Sequence, residues 1–161
     1  MKKYLQNLIF IIFILICQLS LGIIFPSLNL IPDFILIYII LNAVVTGSKN
    51  AMIYAFTGGI LQDVFLGSFI GIFTPVKTAS AFLAGLLSRR FFPENLLIPP
   101  IGVFAATIVH EILYLVLKES YFFNTNYLVL LNNIILPLAA LNALIAFVAY
   151  LAYYLWGGRY S

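Results

Sequence analysis

Five ionisable side chains interrupt otherwise apolar stretches of this 161-residue chain: Asp33, Asp63, Lys77, His110 and Glu111, with Gln62 beside one of them. Carboxylates, an ammonium and an imidazole are groups that move protons, hold ions or pair with one another. A charge at the centre of a membrane-spanning helix costs about 2.5–3.5 kcal/mol on insertion scales, so such positions carry information. Pro32-Asp33 has the form of a helix start, with proline at the first position and a carboxylate near the positive end of the helix dipole. Asp63 and Lys77 fit an ion pair that closes a hairpin of two helices; Lys77 could instead snorkel to an interface. Neighbours on a helix point about 100° apart, so His110 and Glu111 do not both face one small site.

No catalytic set accompanies these groups. The chain has one His and one Cys. His110-Glu111 begins like H-E-x-x-H, but Tyr114 stands where the second His of a zinc site belongs. There is no P-loop, no G-x-S-x-G, no metal-ligand spacing and no cofactor motif, so no enzyme activity and no cofactor are expected. Cys17 has no second cysteine to pair with.

The elements that position these residues must be membrane helices. Hydrophobic residues make up 64% of the chain and charged ones 8%, against about a quarter charged in soluble domains. Punctuation by Pro, Gly and charge gives one all-α transmembrane domain over 1–161, with six apolar segments near 4–24, 32–46, 51–66, 74–87, 96–117 and 127–156. The first and fifth readily cross a core of roughly 30 Å. The second to fourth are short for lipid-exposed spans and call for a protein-lined interior. The sixth is too long, and Pro137 is expected to break it, leaving 137–156 as the span. Residues 4–24 exceed a signal-peptide apolar region and read as an uncleaved first span.

Basic residues orient the bundle. With the N-terminus in the cytoplasm, Lys2, Lys3, Lys49, Arg89, Arg90 and Arg159 fall inside and only Lys118 outside. Six spans with both termini inside satisfy that bias. The basic residues form no run, and nucleic acid is not an expected partner. In this topology Asp33, Gln62, Asp63, Lys77, His110 and Glu111 all fall in the outer leaflet half, as a polar zone for structure or for binding a partner or ligand. Gly58, Gly59, Gly67, Gly71, Ala81 and Gly85 read as helix-packing positions, because small residues let backbones approach. The outer segment 118–127, KESYFFNTNY, is an interfacial aromatic belt or a docking strip.

The stretch GGILQDVFLGSFIGIFTPVKTASAFLAGLLSRR, residues 58–90, with the earlier Pro32-Asp33-Phe34 and the later Glu111, resembles the rod shape-determining protein MreD family. The most specific piece is Gly58…Asp63…Gly67…Gly71. The resemblance implies a multi-pass component of the bacterial inner membrane, in the cell-elongation machinery. Its implied partners are the bitopic protein MreC and, indirectly, MreB filaments and the peptidoglycan synthases RodA and penicillin-binding protein 2. The family is also similar in fold to the substrate-binding S components of energy-coupling-factor vitamin importers, six-helix proteins with an outward pocket. An importer subunit is the competing reading, and a small ion or lipid transporter a third. Against the importer stands the bulky first span, LQNLIFIIFILICQLSLG, where small residues would dock a coupling subunit.

The topology is open to cysteine labelling in a Cys17→Ser background. A membrane-impermeant maleimide is expected to reach cysteines at positions 27 and 124 from outside, and those at 48 and 95 only after permeabilisation. Outside labelling at position 48 would overturn the arrangement.

Overall fold

A computed structural model of the chain describes residues 2–25, 30–66, 71–88, 96–117 and 127–156. Its helices are α1 (Lys2–Ile24), α2 (Phe34–Thr46), α3 (Ser48–Leu66), α4 (Phe73–Ser88), α5 (Ile98–Leu117), α6 (Tyr127–Leu130), a π-helical stretch (Leu131–Ile135) and α7 (Leu136–Leu155). No strand occurs among the described residues. Among the described residues three runs are long and apolar enough to cross a membrane: Leu5–Ile24, Ile98–Leu117 and Leu128–Leu155.

The centre of the bundle is its shortest full helix. At 13 residues, α2 is about 20 Å long, less than the hydrocarbon core of roughly 30 Å. It does not need lipid-facing length. Ile35, Leu36, Ile39, Ile40 and Ala43 have no exposure, and α1, α3, α4, α5 and α7 all pack on the helix. A helix that is apolar all round belongs inside. The outer surface is the reverse of a soluble one. Leu5, Ile9, Phe13 and Ile16 of α1, Ile101 of α5, and Leu144 and Val148 of α7 are each more than half exposed. Apolar exposure on this scale requires lipid or a partner.

A single residue joins α2 to α3. Gly47 has φ +86° and ψ 169°, a conformation essentially reserved for glycine. Its N–H donates to the Ala43 carbonyl at 3.1 Å, and its carbonyl accepts from Ala51 N–H at 3.4 Å. Helix α3 therefore begins at Ser48, earlier than the apolar segment at 51 suggests, and Lys49 and Asn50 occupy its first turn.

The α3–α4 pair is the most extensive helix contact, and glycines set it at two heights. A Cβ on Gly59 would lie 2.5 Å from Thr74 Cα. A Cβ on Gly85 would lie 2.8 Å from the Ser48 backbone nitrogen. The anchors are eleven residues apart on each helix, so the antiparallel backbones stay close over about three turns. Gly58 faces α2 instead, where a Cβ would come 2.9 Å from Ile35 Cγ2. Ala81 has no exposure and joins the core. Gly71 does not pack: nothing lies within 4 Å of its would-be Cβ, and its φ of +105° makes it a turn residue. Gly67, Arg89, Arg90 and the strip 118–126 lie outside the described residues.

Pro137 does not break the last helix. Helical structure continues from Tyr127 to Leu155. The Leu136 N–H donates to Leu131 O, five residues back. That π turn sits directly before the proline, widening the helix where the ring would otherwise strike the carbonyl four residues earlier.

Replacing Gly85 with Val drives two methyls toward Ser48 and is expected to cost about 1–3 kcal/mol, read as a lower melting temperature and yield in detergent. A Cβ on Gly102 meets nothing, so Gly102→Ala is expected to be neutral or to stabilise by up to about 1 kcal/mol.

Candidate functional site

The polar residues of the interior gather at the start of α2. Asp33 is its N-cap: Oδ1 accepts the Leu36 N–H at 2.9 Å, filling one of the donors that every helix start leaves open. Its Oδ2 accepts from the ammonium of Lys77, which reaches across from α4 and has no exposure. The Asp33 N–H donates to Asn142 Oδ1 of α7 at 3.1 Å. Asn142 Nδ2 donates to Thr107 Oγ1 of α5 at 3.2 Å. Thr107 in turn donates to the Val103 carbonyl at 2.8 Å. One carboxylate residue thus ties α2 to α4, α7 and α5.

Asp63 does other work. Its Oδ1 accepts the Phe73 N–H at 2.8 Å. Its Oδ2 accepts the Thr74 N–H at 3.1 Å and the Thr74 hydroxyl at 2.6 Å. It is a cap for α4, delivered from α3. The expected Asp63–Lys77 pair is therefore replaced by Asp33–Lys77. The physical reason is local. The first turn of α4 offers two N–H groups and a hydroxyl at the positive end of its dipole, and these fill the acid.

His110 and Glu111, expected to point to separate places, meet at their side-chain ends: His110 Nδ1 lies 3.2 Å from Glu111 Oε1. The imidazole is buried and its Nε2 has no partner among the described residues, whereas Glu111 is only partly buried. Phe73, the first residue of α4, connects this pair to the ion pair. Its ring stacks on His110 at 6.5 Å and on Tyr114 at 5.3 Å between centroids, and Lys77 Nζ lies 6.0 Å from the same ring. Gln62 is buried with its Oε1 unpartnered among the described residues, as is the Ser80 hydroxyl. Of the expected zone, Asp33 and Lys77 touch directly, His110 joins through Phe73, and Glu111 is reached through His110. Asp63 contributes one turn away, as the cap of α4.

Thr107 is midway along α5, and Asn142 is halfway along the helical run 127–155. The cluster thus sits at mid-height of both long helices. No group of three or more metal-ligating side chains occurs among the described residues. Reading the sequence by charge overlooked Asn142 and Asn7, although it included Gln62. Asn142 is the one carboxamide in LPLAALNALIAFVAYLAYYL, and that isolation was its signal. Asn7 donates to the Tyr54 hydroxyl at 2.6 Å and accepts from the Tyr38 hydroxyl at 2.8 Å, fastening α1 to α2 and α3.

Residues 1–156 match the family model of the rod shape-determining protein MreD. The chain belongs to the MreD family. As an MreD protein it is a shape-determining membrane protein, and the family is a structural one rather than a family of enzymes. Comparison with curated proteins and with solved structures gives no match. The MreD stretch that carried the resemblance, 58–90, is for the most part the α3–α4 hairpin. The earlier Pro32-Asp33, which also carried the resemblance, holds the anchor of the buried network, Asp33.

A double-mutant cycle separates the two acids. Breaking a buried pair from one side typically costs about 3–5 kcal/mol, so Asp33→Asn and Lys77→Met are each expected to lower stability in detergent strongly. Their combination is expected to cost less than the two losses together. Exchanging Asp63 and Lys77 is expected to recover nothing over Asp63→Lys alone.

Proposed function

We propose that this MreD chain is a non-enzymatic scaffold of the bacterial cell-elongation complex. It resides in the inner membrane as a multi-pass protein and binds an MreC-like bitopic protein. Through that protein it acts on MreB filaments and regulates peptidoglycan synthesis by RodA and penicillin-binding protein 2. The chain forms one transmembrane domain of six spans, with both termini in the cytoplasm; the polar zone, expected in the outer leaflet half, is centred nearer mid-height of the long helices.

The observation that carries this reading is where the interior acids are used. Both oxygens of Asp33 and both of Asp63 are taken up in capping helices and pairing with Lys77. Groups so engaged lock helices together. Meanwhile the large apolar side chains of α1, α5 and α7 remain uncovered. A rigid bundle with apolar outer faces suits lateral association with other membrane helices. The six-to-one distribution of basic residues supports the orientation.

Depletion of the protein in its host is expected to round the cells, and an MreC-like protein is expected to co-purify in mild detergent. Normal rod shape after depletion, with loss of vitamin uptake, would overturn the scaffold and favour an importer subunit.

A further inference from the structure

Between α5 and the π-helical stretch lies a groove of about 320 Å³. Ile112, Leu115 and Val116 form one wall, and Leu128, Leu131 and Ile135 belong to the other. The lining itself is apolar, and the nearest polar residues are its neighbours in sequence. Glu111 precedes Ile112 and lies one turn before Leu115 on α5. Asn132 and Asn133 follow Leu131 in the π turn, and both are exposed.

Glu111 decides what fits. Its side chain keeps 21% exposure beside the exposed apolar Ile112. Among the described residues its one ionic contact is His110, on the same helix. A carboxylate offers about four acceptor sites, and leaving them open in an apolar medium is costly. The chain has no free cation at this height among its described side chains. Lys77 is enclosed against Asp33, and Lys49 sits on the first turn of α3, at the end of that helix remote from Asp63. A second copy docking by the same face about a two-fold axis would bring Glu111 toward Glu111, which like charges oppose.

We propose that this groove receives a single membrane-spanning helix of another protein that carries a lysine or arginine within its apolar stretch. The cation meets Glu111, and an apolar ridge fills the groove. This deepens the scaffold reading, and rests on it only in expecting a helical partner.

The test uses the full chain, dye-labelled, in phosphatidylethanolamine–phosphatidylglycerol vesicles with synthetic Leu/Ala spanning peptides. One peptide carries a central lysine and the other is wholly apolar; association is read by energy transfer. The lysine peptide is expected to associate about three- to tenfold more tightly. Glu111→Gln should abolish that preference, and Leu115→Trp, which fills the groove, should weaken association with both. Equal association of the two peptides, or a preference that survives Glu111→Gln, would overturn the proposal. So would the absence of any association, with lipid alone filling the groove. If Glu111→Gln does not fold by size-exclusion profile, undiminished binding to Leu115→Trp overturns it instead. The vesicles contain no elongation protein, so this result stands apart from the depletion phenotype.

Discussion

An ammonium enclosed in the middle of an apolar bundle needs an opposite charge within hydrogen-bonding reach. Taking one ion out of water costs several kcal/mol even after the surroundings relax. Lys77 meets that requirement with Asp33, and the choice of partner organises the rest. Asp33 is also the residue from which α2 starts, and its peptide N–H is held by Asn142. One residue thereby fixes the height at which α2 begins against α4, α5 and α7. The pair is possible because the α4 backbone lies so close to α3, with Gly59 and Gly85 as the points of approach. A bulkier α3–α4 seam would move Lys77 away from the axis of the bundle.

This arrangement explains how a helix too short for a bilayer can sit inside one. Helix α2 is surrounded by protein, so only its ends require polar surroundings. The lower end has the Gly47 turn and the upper end has Asp33. The longer helices take the lipid-facing positions, and their uncovered apolar side chains are the material for lateral contacts. Rigidity inside and unsatisfied apolar surface outside are complementary properties of a part that holds others in place.

Much of this was legible in the residues. Six apolar segments and the helix start at Pro32-Asp33 follow from composition and spacing, and each segment has its helix. The partner of Lys77 did not follow. Proximity along the chain favoured Asp63, ten residues before Phe73, whereas the actual partner is forty-four residues away and meets Lys77 only through the packing of α2 on α4. Capping demand is what diverts Asp63, and that demand is visible only once the start of α4 is known. Pro137 misled for a related reason: a π turn absorbs it, and no residue type announces such a turn. Asn142, by contrast, stood alone among apolar residues and could have been read as an interior contact.

The forty-four residues between Asp33 and Lys77 also separate them in time. A ribosome adds about 5–20 residues per second, so Asp33 is synthesised on the order of 2–9 s before its counterion exists. During that interval the acid has only the amides of its own helix start for company. The α2–α3 unit, joined through one glycine, is delivered to the insertion machinery with an uncompensated carboxylate. The arrival of α4 supplies the counterion, and the interior is complete only when α5 and α7 bring Thr107 and Asn142 to the same acid.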